Sequence, residues 1–373
     1  MTEAINRTLK KTPLDLLHRE FNARMVSFAD HMLPVQYACG IIAEHTHTRE
    51  KASLFDISHM GQVTLSGINA EDKLERLVPG DIIGLAEGQI RYTMLTNAEG
   101  GIIDDLMVSK GDDHLRLVVN GARTEADLAH LRQRFGDNIA IDHKQDFALM
   151  ALQGPSAATV LSSLNSAVAN MQFMTFIDTE LAGKAVSISR CGYTGEDGFE
   201  ISTASEDAEE LARILLDQVD IKFAGLGARD SLRLEAGLCL YGHDIDESTS
   251  PIEAGLNWTI KNKRLEGGCF LGAKTIQNQS KYGPKRRLVG LIPEGRAPAR
   301  RGVAILDKDG NKVGNVTSGG FGATFGGPLA LGYVPNALSK SDTALRLQIR
   351  KSQVSATVKA LPFVPHRYFS TKN

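Results

Sequence analysis

The chain has few cysteines and no long hydrophobic run, and both absences narrow what it can be. No two of the four cysteines form a C-x-x-C pair, so neither a zinc knuckle nor a thioredoxin-type site has support. Scattered thiols in a long chain are typical of a reducing compartment, and we expect all four to be buried and inert. No stretch approaches the roughly 20 apolar residues of a membrane-spanning helix, so we expect no membrane association.

The chain also lacks an excess of either charge. Forty-two Lys and Arg residues face 44 Asp and Glu residues, which gives a net charge of −2. Nucleic-acid binders usually carry a basic excess, so we expect no nucleic-acid partner. Residues 1–7 include the acidic Glu3 and no apolar segment, unlike a secretory signal, and we predict a cytoplasmic protein.

Sequence signatures of metal sites and catalytic triads are absent as well. The chain contains no H-E-x-x-H motif, no Cys/His quartet and no G-x-S-x-G elbow. His45 and His47 would share one side of a strand, but we interpret the histidines as structural. We therefore expect no metal site.

The order of predicted elements indicates an α+β protein. A length of 373 residues predicts two or three domains at about 100–200 residues each. Predicted hairpins, such as Gln89–Thr96 with Ile102–Lys110, stand beside predicted helices, such as Arg123–Phe135. A boundary is predicted within Gln277–Arg287, and short strand signals beyond it predict a β-sandwich or barrel of about 90 residues.

Glycine is unusually frequent, with 36 copies, and three glycine-containing clusters are candidates for function. The first is GGIIDDL, residues 100–106. Neighbouring residues of a strand point to opposite faces, so one of Asp104 and Asp105 should face inward. A carboxylate aimed into a cleft costs free energy unless it has a partner or a task. The alternative is a capped turn with a surface acid.

The second cluster is RCGYTGEDGFE, residues 190–200. Its glycines at 192, 195 and 198 predict a tight loop that a flat ligand can approach, and it matches neither a Walker A loop nor G-x-G-x-x-G. Glu200 could accept two parallel N–H bonds from an amidine-like edge such as that of a pterin. A polar hairpin loop is the alternative.

The third cluster is a glycine-rich turn that leads into a charged helix, residues 225–237. Such a turn favours binding of an anion or carboxylate. Arg229 and Arg233 share a helix face, and Asp230 and Glu235 can offset their charge. An ion-paired surface helix is the alternative.

Six segments together resemble the T-protein family of the glycine cleavage system, the tetrahydrofolate-dependent aminomethyltransferases. They stand in the family's order, from about Thr12 to Phe369, and the fourth and fifth are the most specific. They are FDISHMG (55–61), GGIIDDL (100–106), ALQGP (151–155), RCGYTGEDGFE (190–200), AGLGARDSLRLEAGLCLYG (224–242) and PFVP (362–365).

The resemblance implies a fold and a reaction. The implied fold is α+β, with three domains around a central hole: a folate-binding core of two interwoven α+β subdomains, residues 1–278, and a C-terminal β-barrel domain, residues 285–369. The implied reaction moves the one-carbon unit of an aminomethyl group, carried on the lipoyl arm of the partner H-protein, to tetrahydrofolate. Its products are 5,10-methylenetetrahydrofolate, ammonia and dihydrolipoyl H-protein.

The resemblance also assigns site residues. Asp105 matches the family's catalytic acid and would act beside N5 and N10 of the folate. Glu200 matches the carboxylate that holds the pterin. The remaining matches are implied ligand contacts: Arg229, Tyr92, Tyr193, Asn120 and Tyr368. The family usually carries a tyrosine-containing segment where this chain has Phe173 and Met174.

Several other readings stay open. Sarcosine and dimethylglycine oxidising enzymes carry a similar folate module but also a large flavin domain, which this chain lacks. The iron–sulfur assembly relative has a different loop at positions 190–200. A folate-dependent demethylase acting on a small sulfonium or N-methyl substrate would share the fold, and a non-catalytic folate-binding protein is a further alternative. Basic residues within 281–301 could steer an acidic carrier or form a solvated linker.

Overall fold

Three β-sheets and a closed β-barrel organise residues 9–370, the part of the chain that the computed structural model describes. The prediction made from residues 1–7 lies outside these described residues. The strands are β1 (Lys10–Lys11), β2 (Arg24–Phe28), β3 (His31–Gln36), β4 (Ala52–Asp56), β5 (Gly61–Ser66), β6 (Ile90–Thr96), β7 (Ile102–Lys110), β8 (His114–Val119), β9 (Ala140–His143), β10 (Phe147–Gln153), β11 (Thr175–Leu181), β12 (Lys184–Arg190), β13 (Gly198–Ala204), β14 (Ile221–Phe223), β15 (Arg286–Pro293), β16 (Ala304–Leu306), β17 (Lys312–Gly322), β18 (Gly327–Pro335), β19 (Ala344–Ile349) and β20 (Ser352–Lys359). The α-helices are α1 (Asp15–Glu20), α2 (Ile41–Glu50), α3 (Ala70–Glu75), α4 (Thr124–Phe135), α5 (Ala157–Leu164), α6 (Ala208–Leu216), α7 (Leu226–Glu235), α8 (Asn262–Gly267) and α9 (Ala273–Tyr282).

A six-stranded sheet, in the order β11-β12-β13-β10-β4-β14, is buried on both faces. Successive residues of a strand face opposite sides. On β10, Met150 and Leu152 therefore enter one apolar cluster, and Leu149 and Ala151 enter another. The chain between β4 and β10 forms a second sheet, in the order β6-β7-β8-β5-β9. A three-stranded sheet, β1-β3-β2, lies apart from both.

The C-terminal strands close a barrel in the order β15-β18-β17-β16-β19-β20. Apolar side chains such as Leu291, Ile305 and Leu347 fill its core. A further apolar cluster joins the five-stranded sheet to the barrel, because it contains Met94 from the sheet and Leu331 from the barrel. It also contains residues of α7 and of the segment after it. The α+β prediction is confirmed, and the C-terminal part is a barrel.

Several local expectations are wrong. Residues 45 and 47 lie on helix α2, so His45 and His47 do not share one side of a strand. The pattern of residues 55–65 predicts one strand, but the segment contains the end of β4 and most of β5, which belong to different sheets. A turn separates them, in which the Asp56 carboxylate accepts the Ser58 N–H at 2.9 Å and Met60 N–H bonds the Ile57 carbonyl.

Two of the four cysteines are also exposed, contrary to expectation. Cys39 and Cys269 are exposed, whereas Cys191 and Cys239 are buried, and all four are free thiols. The predicted linker is partly helical, because α9 continues to Tyr282. Within the basic segment, Arg286 pairs with Glu253 at 3.2 Å, so that cation is held by its own chain. Among the described residues, no helix is both long and apolar enough to cross a membrane.

Candidate active site

A tight hairpin turn places Asp104 and Asp105 near the start of β7. The Asn97 side-chain oxygen accepts the N–H of Gly101 at 2.8 Å and that of Glu99 at 3.1 Å. Gly100 has φ +87°, a conformation that favours glycine. Just beyond the turn, the β6–β7 register shifts by one residue, which is a bulge beside the two acids.

The two acids differ in exposure. Asp104 is fully buried, whereas Asp105 is half-buried. Asp105, on the accessible side, is therefore the acid that a ligand can reach. Neither is the surface acid of a capped turn, which was the alternative for this cluster.

One asparagine amide connects the two carboxylates. Asn120 follows β8, and its Nδ2 donates to Asp104 Oδ1 and to Asp105 Oδ1, both at 2.8 Å. Its backbone N–H donates to Asp104 Oδ2 at 2.9 Å. The remaining Asp105 oxygen accepts the Tyr92 hydroxyl at 2.9 Å. Both oxygens of Asp105 thus have a fixed donor.

Burial changes the protonation of Asp105. Burial and the neighbouring Asp104 charge raise its pKa to about 7, against the opposing effect of the bonds from Tyr92 and Asn120. A carboxyl group that titrates near neutral pH can take up or give a proton under physiological conditions. Asp105 therefore has the protonation behaviour of a general acid or base.

Asp127 of α4 is a third acid here, which the sequence interpretation did not select. It is 1% exposed, and its carboxyl contacts that of Asp104. The signal for it is present in the sequence, because Asp127 lies on the buried face of the helix with Leu128 and Leu131. An acid on an apolar helix face calls for a specific partner.

The glycine-rich loop 191–198 is held against the sheet. A Cβ atom at Gly192 would lie 1.8 Å from the Gln153 side chain, and one at Gly198 would lie 2.5 Å from it. Two of the three glycines are therefore needed for close approach to Gln153, not only for approach of a ligand. The loop leads into β13, which carries the half-buried Glu200.

The Glu200 carboxyl has one thiol neighbour and one cationic neighbour. Burial raises its pKa, while the Arg229 charge and a hydrogen bond from the Cys191 thiol lower it. Arg229 stands over the Tyr193 ring, 4.8 Å from the guanidinium carbon to the ring centroid. Its Nη1 is buried and has no hydrogen-bond partner. A buried donor without a partner is costly, so this atom is available to a ligand.

Six of the seven predicted site residues fall into two linked groups. Tyr92, Asp105 and Asn120 are joined by hydrogen bonds. Tyr193, Glu200 and Arg229 form the second group through the ring contact and the charge pair. The charges of Asp105 and Arg229 both act on the Tyr193 hydroxyl, which donates to the Cys239 carbonyl, so Tyr193 lies between the two groups.

Tyr368 reaches the site from the chain segment after the barrel. Its ring stacks on Phe173 at 4.1 Å between centroids, and burial raises the pKa of its hydroxyl to about 12. The stacked Phe173 has no hydroxyl, so Tyr368 supplies the phenol of this pair. All seven site residues are half-buried, so each has surface that a ligand could cover.

A set of ion pairs on two buried glutamates holds this C-terminal segment in place. Arg49 donates to Glu196 Oε1 at 2.7 Å and to Glu235 Oε2 at 3.1 Å. Arg367 also donates to Glu196 Oε1, at 2.6 Å. We call Arg49, Glu196, Glu235 and Arg367 the tail clamp. It fixes the glycine-rich loop, α2, α7 and the C-terminal segment relative to one another.

Helix α7 is a buried helix, not an ion-paired surface helix. Arg233 is 2% exposed, and it pairs with Asp230 and with Asp244 at 2.8 Å each. The glycine-rich turn before the helix does bind a carboxylate, but it is the chain's own. Glu44 Oε2 accepts the Gly225 N–H at 2.9 Å. Arg229 is thus the cation of this helix that remains open to a ligand.

The single tryptophan also lies at the site, although no sequence pattern indicated this. Trp258 is 67% exposed and stacks on Tyr92 at 5.9 Å between ring centroids. Since Tyr92 donates a hydrogen bond to Asp105, the Tyr92 side chain connects the indole to the Asp105 carboxyl group. It is a natural fluorescent reporter of the site. The described residues contain no cluster of side chains suited to a metal ion.

Comparison with known proteins identifies relatives along the whole described chain. Residues 14–264 match the family described as GCVT N-terminal domain, and residues 286–365 match the glycine cleavage T-protein C-terminal barrel domain. The chain is 46% identical to the Gallus gallus protein named "Aminomethyltransferase, mitochondrial", with 98% of this chain and 95% of that protein covered. It is 42% identical to the protein of the same name from Dictyostelium discoideum, with 96% and 94% covered.

A solved structure agrees with these sequence matches. The glycine cleavage system aminomethyltransferase T from Bartonella henselae superposes with a TM-score of 0.93 at 41% identity. The match covers 97% of this chain and 100% of that one. The chain therefore belongs to the glycine cleavage T-protein family.

Proposed function

We propose that this protein is a tetrahydrofolate-dependent aminomethyltransferase. In the proposed reaction, the C–S and C–N bonds of the aminomethyl group on lipoyl H-protein break, and two C–N bonds to folate N5 and N10 form. The two folate N–H protons leave on ammonia and on the dihydrolipoyl thiol. The products are 5,10-methylenetetrahydrofolate, ammonia and dihydrolipoyl H-protein.

One observation carries the proposal, namely the setting of the half-buried Asp105, where a fixed donor bonds each carboxyl oxygen. Its pKa of about 7 suits a group that accepts a proton from one amine and returns it to another. Tyr92 and Asn120 bond one oxygen each and so orient the carboxyl group. Asp105 thereby supplies proton transfer at the folate nitrogens.

Glu200 and Arg229 are proposed to hold the pterin. A carboxylate can accept two parallel N–H bonds from a pterin edge, and the unpartnered Arg229 Nη1 offers a donor for a ligand oxygen. Tyr193 and Tyr368 would contribute ring faces along the ligand. A bound folate would satisfy the buried donor that the described structure leaves open.

The lipoyl-bearing H-protein is the proposed partner, because the chain belongs to the glycine cleavage T-protein family. The relatives are named mitochondrial in Gallus gallus and in Dictyostelium discoideum. A cytoplasmic location for this chain therefore stays a prediction. Fractionation of the native cell, with an antibody to this protein, tests it.

We further propose that the folate-binding core spans residues 1–278 and the barrel domain residues 285–369. The barrel strands begin at Arg286 and end at Lys359, which supports the second range. Limited proteolysis is expected to cut near Gly283, between α9 and β15. Two stable fragments from a cut elsewhere would contradict this division.

A direct assay tests the proposed activity. The purified protein is mixed with tetrahydrofolate and aminomethyl-loaded H-protein, and release of ammonia is followed. We expect ammonia only when both substrates are present. Turnover of a small sulfonium or N-methyl compound in place of the loaded carrier would favour the demethylase alternative. Tight folate binding with no turnover of either substrate would favour a non-catalytic folate-binding protein.

A further inference from the structure

Two fully buried acids stand behind Asp105 with no cation bonded to them. Asp104 is 0% exposed and Asp127 is 1% exposed. Among the described residues, neither forms an ion pair. The nearest cation, Arg123, stands one turn before Asp127 and is committed to Glu247 at 2.7 Å. We call Asp104, Asp105 and Asp127 the acid cluster.

Two such carboxylates cannot both stay ionised at neutral pH. The Asp104 and Asp127 carboxyls contact each other, and burial raises the pKa of both groups, with the Asp127 charge raising that of Asp104 and the Asp105 charge raising that of Asp127. The other ionisable groups around them are Asp105, the Tyr241 phenol and the paired Arg123 and Glu247. Only Arg123 carries positive charge, so the pair retains one proton that the two acids share.

Hydrogen bonding indicates which acid carries that proton. Both oxygens of Asp104 accept bonds from Asn120, at 2.8 and 2.9 Å, so Asp104 acts as a full carboxylate. Neither oxygen of Asp127 receives a bond from any donor in the described structure. A protonated Asp127 would donate to Asp104 and so give its own O–H a partner, whereas the reverse assignment places an O–H on an oxygen that already accepts from Asn120.

We propose that Asp127 is a positioning residue, which carries a proton and donates it in a hydrogen bond to the Asp104 carboxylate. Asp104 then holds Asn120, and the second side-chain N–H of Asn120 stays on Asp105. The pair also keeps one negative charge beside Asp105, and this charge favours the neutral form of the Asp105 carboxyl group. The inference rests on the catalytic role of Asp105 in the proposed function.

Three variants separate this role from simple packing. Asp127→Asn keeps a donor to Asp104 and the same net charge, so turnover should stay within about threefold of the wild type. Asp127→Leu is similar in size but has no donor, and Asp104→Asn replaces one of the two acceptors for Asn120. Both should lose about tenfold or more in turnover.

The pH dependence gives a readout that packing alone would not move. In Asp127→Leu, Asp104 must keep the proton itself, so Asp105 loses a neighbouring negative charge. This charge raises the pKa of Asp105 more than the Asn120 bond lowers it, so the Asp105 titration should move to lower pH. In Asp127→Asn it should stay unchanged. Fluorescence of Trp258 in the ligand-free protein, titrated against pH, measures both without turnover.

A spectroscopic test in the wild-type protein needs no variant to fold. In protein labelled with ¹³C at the aspartate carboxyls, one signal should keep the chemical shift of a neutral acid at about pH 8, above the pKa of about 7 for Asp105. That signal should disappear in Asp127→Asn and persist in Asp105→Asn. If every aspartate signal is that of an anion at this pH, the proposal is wrong.

Two further outcomes would also overturn it. One is a neutral-acid signal that survives in Asp127→Asn, and the other is equal loss of turnover in Asp127→Asn and Asp127→Leu. Because the signal is read in ligand-free protein, it does not depend on the reaction. An absence of ammonia from the wild-type protein would instead refute the proposed function.

Discussion

The tail clamp and the acid cluster are both buried groups of carboxylates, yet their protonation is opposite. In the tail clamp, burial alone would raise the pKa of Glu235, but the bond from His45, two backbone N–H groups and the Arg49 charge bring it to about 2. In the acid cluster, no cation is bonded, and the pKa of Asp105 rises to about 7. The pKa values of these two carboxyls are thus shifted in opposite directions, although burial acts to raise both.

The difference shows that the partners of a buried carboxylate, not its burial, decide whether it stabilises the fold or can transfer a proton. A carboxylate with arginine on it remains an anion at every physiological pH and can only hold the chain together. A carboxylate whose neighbours are an amide, a phenol and other acids keeps a proton within reach. To judge a carboxylate from the sequence by its partners, one would have to know which residues bond it, and those residues are remote along the chain.

The largest effect is expected at Asp105, the member of the acid cluster that is proposed to transfer protons. Asp105→Asn keeps the size and can keep one acceptor, but it removes the titrating group, so turnover should fall by about 10²- to 10⁴-fold. Ammonia release from the loaded carrier measures it. Asp113→Asn, at a side chain that is 90% exposed, is the matched control. Full turnover of Asp105→Asn would refute the catalytic assignment.

The tail clamp should respond in stability instead. Glu235→Gln leaves the buried Arg49 with one fewer anion, and breaking a buried pair in this way costs about 3–5 kcal/mol. Urea unfolding followed by circular dichroism measures the free energy of unfolding, with Asp113→Asn again as the control. If stability is unchanged, the clamp does not hold the segment.

Acid should remove the difference in stability between the wild type and Glu235→Gln. The native pKa of Glu235, about 2, lies below its ordinary value of 4.5, so its ionisation stabilises the native state above about pH 4.5. This stabilisation is lost as pH falls from there through about 2. The gap between wild type and Glu235→Gln should therefore narrow on acidification, and a gap that is constant with pH would contradict the charge explanation.

A smaller effect is expected at Arg229, whose charge acts on the Glu200 carboxylate. Arg229→Gln should raise the KM for tetrahydrofolate by about tenfold to a hundredfold, since a charge-assisted bond to the ligand is lost. The pKa of Glu200 should rise further, because only the bond from the Cys191 thiol then opposes the effect of burial. Lys222→Gln, at an exposed position, is the control. An unchanged KM would place the ligand away from Arg229.

The smallest effect concerns a single donor to Asp105. Tyr92→Phe keeps the ring that stacks on Trp258 but removes the bond to Asp105 Oδ2. The pKa of Asp105 should rise by less than about one unit, which moves the rising limb of turnover against pH upward. Tyr282→Phe, at a ring that is 74% exposed, is the control. A downward shift would contradict this role for Tyr92.

The hairpin with Asp105 is predictable from sequence, because local chemistry dictates it. The turn formers at 97–101 and the alternating residues after them define β7 at both ends, Ile102 and Lys110. Helix α2 is a different case. Its buried face carries His45 and Arg49, which are there to meet Glu235 of a distant helix. Without apolar periodicity, no local signal indicated a helix.

The composition of the site is only partly predictable for the same reason. The family resemblance named Asp105, Glu200 and Arg229, which the fold brings into two linked groups. It did not name Asp127 or Trp258, whose importance comes from contacts with Asp104 and Tyr92. Such contacts join separate strands and helices, so they appear only once the sheet order is known.

The bond between Arg367 and Glu196 has a consequence for biosynthesis. The two residues are separated by 171 positions, with the whole barrel between them. At about 5–20 residues per second, the ribosome needs roughly 10–35 s to make that stretch. The glycine-rich loop must therefore leave the ribosome without its final brace, and a nascent chain cannot acquire a finished binding site until the barrel and the segment after it have been translated.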